Sequence, residues 1–515
     1  MPETNGVAGA RAKIVPLPEL AALLGRRRAK RQKIVHCHGV FDLLHIGHIR
    51  HFREAKSMGD VLVVTLTQDV HVNKGPGRPI FAQGLRAEAI AALDCVDYVA
   101  INDSPLAVEA IKLIQPDFYV KGPDYKDASK DLTGGISLER QAVDAVRGKF
   151  VVTDDITFSS SNLINRHLGA LPKETIEYLS QFSKRYSIDR VLSYLKEAST
   201  LKVLFVGESI IDEYRYCAAI GKSSKEPMLA VQHLSTEKFA GGILALANNA
   251  APFCKKTEVV SFLGEKASQE GFLRSRMDPK VRLHLHHKKD SPTIVKRRYI
   301  DKYFFTKLLA IYEMDDNPLG PRDNRHLCST LERLAPQFDA VVVVDFGHGM
   351  ITDEAVDVLC SKSKFLAVNT QANAGNQGYH TISRYHRADY ICMAHNEFRL
   401  EARHRHKDLR EIVQDVSRRL HCPSVVVTGG SRGCLAYSAS EGFFDVPAVA
   451  TQVVDRMGAG DTFLALTAPC VARKAPIEIV GFIGNVAGAE AVATVGHRKS
   501  LDPIKLYKHA ETLLK

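Results

Sequence analysis

His38-Gly39-Val40-Phe41-Asp42-Leu43-Leu44-His45-Ile46-Gly47-His48 follows closely on the apolar pair Ile34-Val35. An apolar strand that runs through a glycine into a helix opening near His45 predicts a parallel α/β sheet whose ligand edge lies just past this strand. Such a turn leaves backbone N–H groups and two imidazoles facing one point, which suits a triphosphate. Imidazole donates a hydrogen bond to a non-bridging phosphate oxygen, and when protonated it adds charge where an α-phosphate gains negative charge. The spacing of His45 and His48 puts both rings on one side of a helical turn. His-x-Gly-His alone is weak evidence in a chain with 21 histidines; the preceding Gly-Val-Phe-Asp and the strand before it give it meaning.

Outward from this run, short β-branched stretches alternate with amphipathic helical ones from Lys33 to about Gly169, the signature of a parallel sheet covered on both faces. Strands are expected at Lys33–Cys37, Val61–Thr67, Asp97–Ile101, Asp117–Lys121 and Lys149–Thr153. Helices are expected at His48–Met58, Gly84–Leu93, Pro105–Ile114 and Ile136–Val146. Lys74 sits in a glycine- and proline-rich loop, Asn73-Lys74-Gly75-Pro76-Gly77-Arg78, just past the second strand, where a mobile point charge suits a polyphosphate. Arg86 opens a helix and reads more weakly, as a surface residue. Lys121-Gly122-Pro123-Asp124-Tyr125 follows the fourth strand, and Phe158-Ser159-Ser160-Ser161-Asn162 follows the fifth. Serines there serve as helix caps or hold a phosphate.

Together these motifs resemble the cytidylyltransferase-like nucleotidyltransferases, and most closely the nucleotidyltransferase half of the bifunctional ADP-heptose synthases. The likeness implies that His45 and His48 stabilise an α-phosphate while a sugar 1-phosphate oxygen displaces pyrophosphate. It implies that Lys74 contacts the triphosphate, that Ser159, Ser160 and Ser161 help hold it, and that Gly39, Val40, Phe41, Asp42, Lys121 and Asp124 complete the nucleotide site. ATP or CTP would be the donor, with Mg2+ on its phosphates. Class I aminoacyl-tRNA synthetases share His-x-Gly-His, but their Lys-Met-Ser-Lys-Ser loop is absent here.

Residues Lys173 to Thr200 carry spaced apolar side chains that predict two short helices. A second alternating region opens at Leu201 and contains apolar strands at Ala340–Asp345 and Ser424–Thr428. Threonine- and tyrosine-rich stretches between Val281 and Glu313 predict antiparallel strands in a small added sheet, a lid or the surface of a homodimer. Asp455-Arg456-Met457-Gly458-Ala459-Gly460-Asp461 precedes an alanine-rich helix. Backbone N–H groups of Gly458, Ala459 and Gly460 can converge on an anion at the helix start, with Asp461 placed to accept the proton of an attacking hydroxyl.

This half resembles the ribokinase-like (PfkB-type) sugar kinases. The likeness implies that Asp212 grips sugar hydroxyls, that Gly241-Gly242 with Asn248 admit the sugar, and that Thr428, Gly430 and Gly433 flank the nucleotide. Glu397 would organise a magnesium-bound water. The motif's asparagine is Ala394 here, and the usual Asp-x-Lys appears as Asn369-Thr370-Gln371. Those changes fit an altered acceptor, weaker metal use, or a kinase fold kept as a sugar-binding or regulatory module.

At 515 residues the chain exceeds one compact core, and 45% hydrophobic with 25% charged residues is ordinary for a globular enzyme. The expected division is an N-terminal extension (1–30), a Rossmann-like parallel-sheet nucleotidyltransferase domain (31–170), a helical linker (171–200) and a ribokinase-like α/β domain with a small β lid (201–515). The ADP-heptose synthases carry the kinase first; here the order is reversed. The net charge of +11 is dispersed, which favours nucleotides and sugar phosphates as partners over nucleic acid. No long apolar run or basic-then-apolar leader is present, so neither a membrane span nor secretion is expected, and the cytoplasm is the expected location. Ten cysteines without a Cys-x-x-Cys pair argue against structural zinc. Two consecutive sugar-activating steps on one chain are therefore expected: phosphorylation, then nucleotidyl transfer.

Overall fold

A computed structural model describes residues 9–125, 131, 134–153, 171–377 and 379–515. Backbone contacts divide the chain into two units, one of residues 1–172 with 504–515 and one of residues 173–503.

The first unit is built on five parallel strands: β1 (Ile34–Gly39), β2 (Val61–Thr67), β3 (Tyr98–Asn102), β4 (Phe118–Lys121) and β5 (Lys149–Val152). Their order is β3-β2-β1-β4-β5. The direction of winding reverses between β1 and β4, and a doubly wound sheet opens its ligand crevice beyond the carboxyl ends of the strands at such a point. Helices Ile46–Ser57 and Gln83–Ala91 cover one face, burying Phe52, Ala55, Ala87 and Ile90 against Val35, Leu62 and Val64. Helix Leu17–Ala29 covers the other with Leu17, Leu20 and Leu24, beside Ala110 and Ile114 of helix Val108–Ile114. The segment before β1 is thus part of the core. Burial on both faces explains why β2 opens on four consecutive apolar residues, Val61 to Val64, instead of alternating. Helix Ile46–Ser57 starts two residues earlier than the periodicity predicts, because His45 caps it.

The second unit holds a nine-stranded sheet in the order β10-β9-β6-β13-β14-β15-β16-β17-β18. Its strands are β6 (Lys202–Gly207), β9 (Lys256–Lys266), β10 (Val281–Pro292), β13 (Ala340–Asp345), β14 (Leu366–Thr370), β15 (Tyr390–Ala394), β16 (Ser424–Thr428), β17 (Cys434–Ser438) and β18 (Gly442–Val446). All run in one direction except β17, which is antiparallel to both its neighbours, β16 and β18. A separate four-stranded sheet runs β12 (Thr306–Glu313), β11 (Ile294–Asp301), β7 (Ser209–Lys222), β8 (Leu229–Gly242). The small sheet expected from Val281 to Glu313 therefore differs in membership. The stretch from Val281 joins the large sheet in parallel with β9, and β11 and β12 pair instead with the earlier ribbon of β7 and β8. Pairing partners that lie some 80 residues away in sequence leave no local signal. Edge strand β12 is exposed at every position. The expected helices over 173–200 are present as Lys173–Arg185 and Ile188–Ala198. Helices Ala459–Ala472 and Ile477–Val492 are apolar nearly all round and lie in the interior. Among the described residues no helix is long and apolar enough to cross a membrane.

Candidate active sites

In the first unit β1 ends at Gly39, where a Cβ would stand 2.9 Å from the Phe41 ring, so only glycine fits. Phe41 sits in the left-handed region at φ +48°, a conformation costly for an aromatic residue, and its ring packs edge-on against His48 and Phe52. His45 caps the following helix by accepting the Gly47 N–H at 3.1 Å on Nδ1. The His45 and His48 rings stack with centroids 3.8 Å apart, so the two imidazoles form one surface. Burial pushes His48 down to about 3, with His45 and Lys74 adding to the effect. Burial and then Lys74 lower His45 as well. Both shifts favour the neutral, hydrogen-bonding form of the rings over the charged one.

Asp42, 2% exposed, accepts from Arg78 Nη1 at 3.1 Å and from the N–H groups of Ile80 and Phe81 at 2.7 and 3.2 Å. Its carboxylate is committed to the Lys74 loop. That loop turns at Gly75 and Gly77, with φ of +92° and +78°. Burial, Lys515, Arg78 and Lys508 push Lys74 down to about 8, Asp42 opposing. Lys121, at the end of β4, pairs with Glu139 at 3.0 Å and lies over the Tyr119 and Tyr125 rings; although burial opposes its charge, Glu139 holds it above its ordinary range. The backbone at Val40 is held by Arg86, which also donates to Thr67 O, Phe81 O and Asp69. Arg86 is buried rather than the surface residue expected, since one guanidinium satisfies three carbonyls that end or turn the strands. Asp124 lies in the turn Pro123–Tyr125. Ser159, Ser160 and Ser161 lie outside the described residues. His38 is structural: its ring bonds Thr65 at 2.8 Å inside the sheet.

In the second unit Asp212 on β7 is 7% exposed and accepts from Arg298 on β11. Its Oδ2 lies 3.9 Å from His497 Nε2, and a Cβ on Gly241 would stand 2.1 Å from the same oxygen. Gly458 takes φ +74° ahead of helix Ala459–Ala472, where a Cβ would meet His497 at 2.3 Å. Asp461, in the first turn, accepts from Gln371 Nε2 at 2.8 Å. Burial raises its pKa, as does Asp212, against His497, Gln371 and Lys296. Glu397 accepts from the N–H groups of Ala394 and Ala372 at 2.7 and 3.2 Å, and burial lifts it to about 7. Asn369 spends its amide on Cys392 O at 2.6 Å. Thr428 ends β16, and Gly430 and Gly433 form the next turn at φ +61° and +87°.

Asp212, Gly241, Asp461 and the Gly458 turn therefore come together. Asn248 is occupied elsewhere, bonded to Arg276 O and to the Asp278 N–H. Its neighbour Asn249, which sequence reasoning missed, bonds Thr462 in the same helix as Asp461. Lys296 and Arg298 of β11 also lie beside Asp212. Their spacing of two on a strand, which puts both on the face of Asp212, was the available signal. Among the described residues no three His, Cys, Asp or Glu side chains form a metal cage.

The sequence profile of the pfkB family carbohydrate kinases matches residues 200–504. The chain belongs to this family. Residues 36–166 match the Cytidylyltransferase-like family, so the two matches stand in that order along the chain. The chain is similar to the Bifunctional protein HldE of Geobacter metallireducens, 38% identical over 168 residues that cover 32% of each chain. It is also similar to the Bifunctional protein HldE of Nitratiruptor sp., 44% identical over 126 residues, 24% of this chain and 26% of that one. The chain thus spans about a third, or less, of the length of these curated relatives. The fold of the pfkB part is that of phosphofructokinase-2 from Escherichia coli: TM-score 0.50 at 16% identity, covering 61% of this chain and 99% of that one. The architecture is a Rossmann-like unit plus a ribokinase-like unit.

Proposed function

We propose that the chain is a bifunctional sugar-activating enzyme. The pfkB unit phosphorylates a sugar or sugar phosphate from ATP, and the cytidylyltransferase-like unit joins a sugar 1-phosphate to a nucleotide, in nucleotide-sugar biosynthesis of the heptose type. The observation that carries the reading is the pairing of Asp461 with the Gly458 turn in one unit and of His45 with His48 in the other.

In the kinase step the acceptor hydroxyl oxygen attacks the γ-phosphorus, its proton passes to Asp461, and ADP leaves. A carboxylate whose basicity burial has raised is a better proton acceptor. Gln371 fixes one of its oxygens, and the N–H groups at the start of helix Ala459–Ala472 face the transferring phosphoryl group. Mg2+ in such sites is held mostly by phosphate oxygens and waters, which fits buried Glu397 as a carboxylate acting through water and leaves Asp461 to the proton. The ion would neutralise charge on the phosphates, with Glu397 holding one of its waters.

In the transfer step a sugar 1-phosphate oxygen attacks the α-phosphorus and the bond to the β-phosphate breaks, releasing pyrophosphate. The attacking phosphate is already anionic, so no general base is needed. Neutral His45 and His48 supply donors to the α-phosphate, and Lys74 supplies charge.

A second reading keeps only the transferase active, with the kinase fold as a sugar-binding or regulatory module. It is favoured by Asn369 and Gln371, which stand where the kinase motif has charge and are both occupied within the protein. Exposed Leu309 and Ile311 on β12 support a lid or homodimer surface. The deciding experiment is a screen of sugars, sugar phosphates and nucleotides for ADP and pyrophosphate release. Asp461→Asn is expected to lose ADP release alone, and His48→Ala pyrophosphate release alone. An unchanged ADP rate in Asp461→Asn would leave the second reading standing.

A further inference from the structure

The pfkB match ends at residue 504, and the residues that follow belong by their contacts to the first unit. They form helix Pro503–Leu514. The ring of His509 lies over Gly75: a Cβ there would stand 2.5 Å from His509 Cδ2 and 2.8 Å from Nε2. Gly75 already requires glycine for its φ of +92°, so helix and loop are fitted to each other beside Lys74. On the helix, Lys508 and Lys515 hold Glu511 between them, at 3.0 and 2.9 Å. Lys515 and Lys508 both act on Lys74, and after burial Lys515 is the largest influence lowering its pKa. Lys74, Arg78, Lys508 and Lys515 thus face two carboxylates. Asp42 is already taken by Arg78 and two backbone N–H groups, and Glu511 is shared by two lysines. A half-buried ammonium surrounded by other cations is an unfavourable arrangement that an arriving polyanion relieves.

We propose that helix Pro503–Leu514 forms a wall of the first unit's nucleotide site, where Lys508 and Lys515 join Lys74 in receiving the polyphosphate of the incoming nucleotide. Glu511 holds the two lysines in place before the nucleotide arrives. The proposal rests on reading the first unit as a nucleotidyltransferase and adds to it residues from outside that family's matched segment. Binding residues of this kind change nucleotide affinity without touching the bond-making step.

The test uses the full chain with Lys508→Ala/Lys515→Ala, the length-keeping Lys508→Gln/Lys515→Gln, and Lys508→Arg/Lys515→Arg. Pyrophosphate release is followed against nucleotide concentration. The uncharged pairs are expected to raise KM for the nucleotide by roughly tenfold or more, the scale of one lost charge-assisted contact, with kcat within about threefold. The arginine pair is expected to restore most of the affinity, which a purely structural role would not require. Inorganic tripolyphosphate is titrated calorimetrically into the same proteins and is expected to bind more weakly to the uncharged pairs. Unchanged KM and unchanged tripolyphosphate affinity overturn the proposal. If the unaltered protein releases no pyrophosphate with any nucleotide, the functional reading fails, and the tripolyphosphate titration still decides for or against the helix.

Discussion

Replacing Gly241 by alanine places a Cβ 2.1 Å from Asp212 Oδ2 and 3.2 Å from Ile210 O. Gly241 lies within β8, where alanine meets no backbone penalty of its own, so the whole effect is the collision. Asp212 must retreat by about 1.3 Å to regain an ordinary 3.4 Å contact. That exceeds the tolerance of its hydrogen bond to Arg298, and both partners are buried. Disrupting a buried ion pair costs about 3 kcal/mol, or roughly a hundredfold in an opening constant. The measurement is native-state hydrogen exchange of the β7 amides, Ser209–Lys222, which reads local opening without requiring the two units to unfold together. In an Asp212→Ala background the carboxylate is gone and only the Ile210 contact remains, so the same Gly241→Ala should cost less than about 1 kcal/mol. A coupling of about 2 kcal/mol between the positions is expected. Costs that add to within about 0.5 kcal/mol would refute the reasoning.

Two further outcomes follow from the first unit. Asp42→Ala removes an acceptor of Arg78 and of two N–H groups; it is expected to cost about 2 to 4 kcal/mol and to speed hydrogen exchange at Ile80 and Phe81, whereas unchanged exchange there would show the loop is held otherwise. Lys74 has a folded pKa near 8 against an ordinary 10.5, so the folded state releases this proton first. Between those values the unfolded chain binds the extra proton, and this group makes stability rise with pH. Over the same interval the loss of its charge should raise the nucleotide KM of pyrophosphate release. Lys74→Gln should abolish both trends, and a KM limb near pH 8 that survives the substitution would assign it elsewhere.

Much of this was legible in the chain because it is local. The strand leading to Gly39, the cap at His45, the spacing of His45 and His48, and the Gly458 turn into its helix each depend on neighbours within a few residues, where sterics and hydrogen bonding act through sequence. Glycines at 39, 241 and 458 could be noticed in sequence, yet what excludes their side chains, Phe41, Asp212 and His497 respectively, appears only in three dimensions.

Asp42 and Arg86 show the limit from the other side. A carboxylate and a guanidinium near a ligand edge read alike whether they face the ligand or hold the loop that does, and only the partners separate the two. The sequence by itself determined two α/β units, their order, and a glycine turn leading into a helix in each. The tertiary structure decided which charges meet. Arg298 reaches Asp212 across 86 positions, and the helix bearing Lys508 and Lys515 returns to the loop of Lys74. Electrostatic and steric fit depends on distance in space, which the order of residues encodes only after the whole chain has packed.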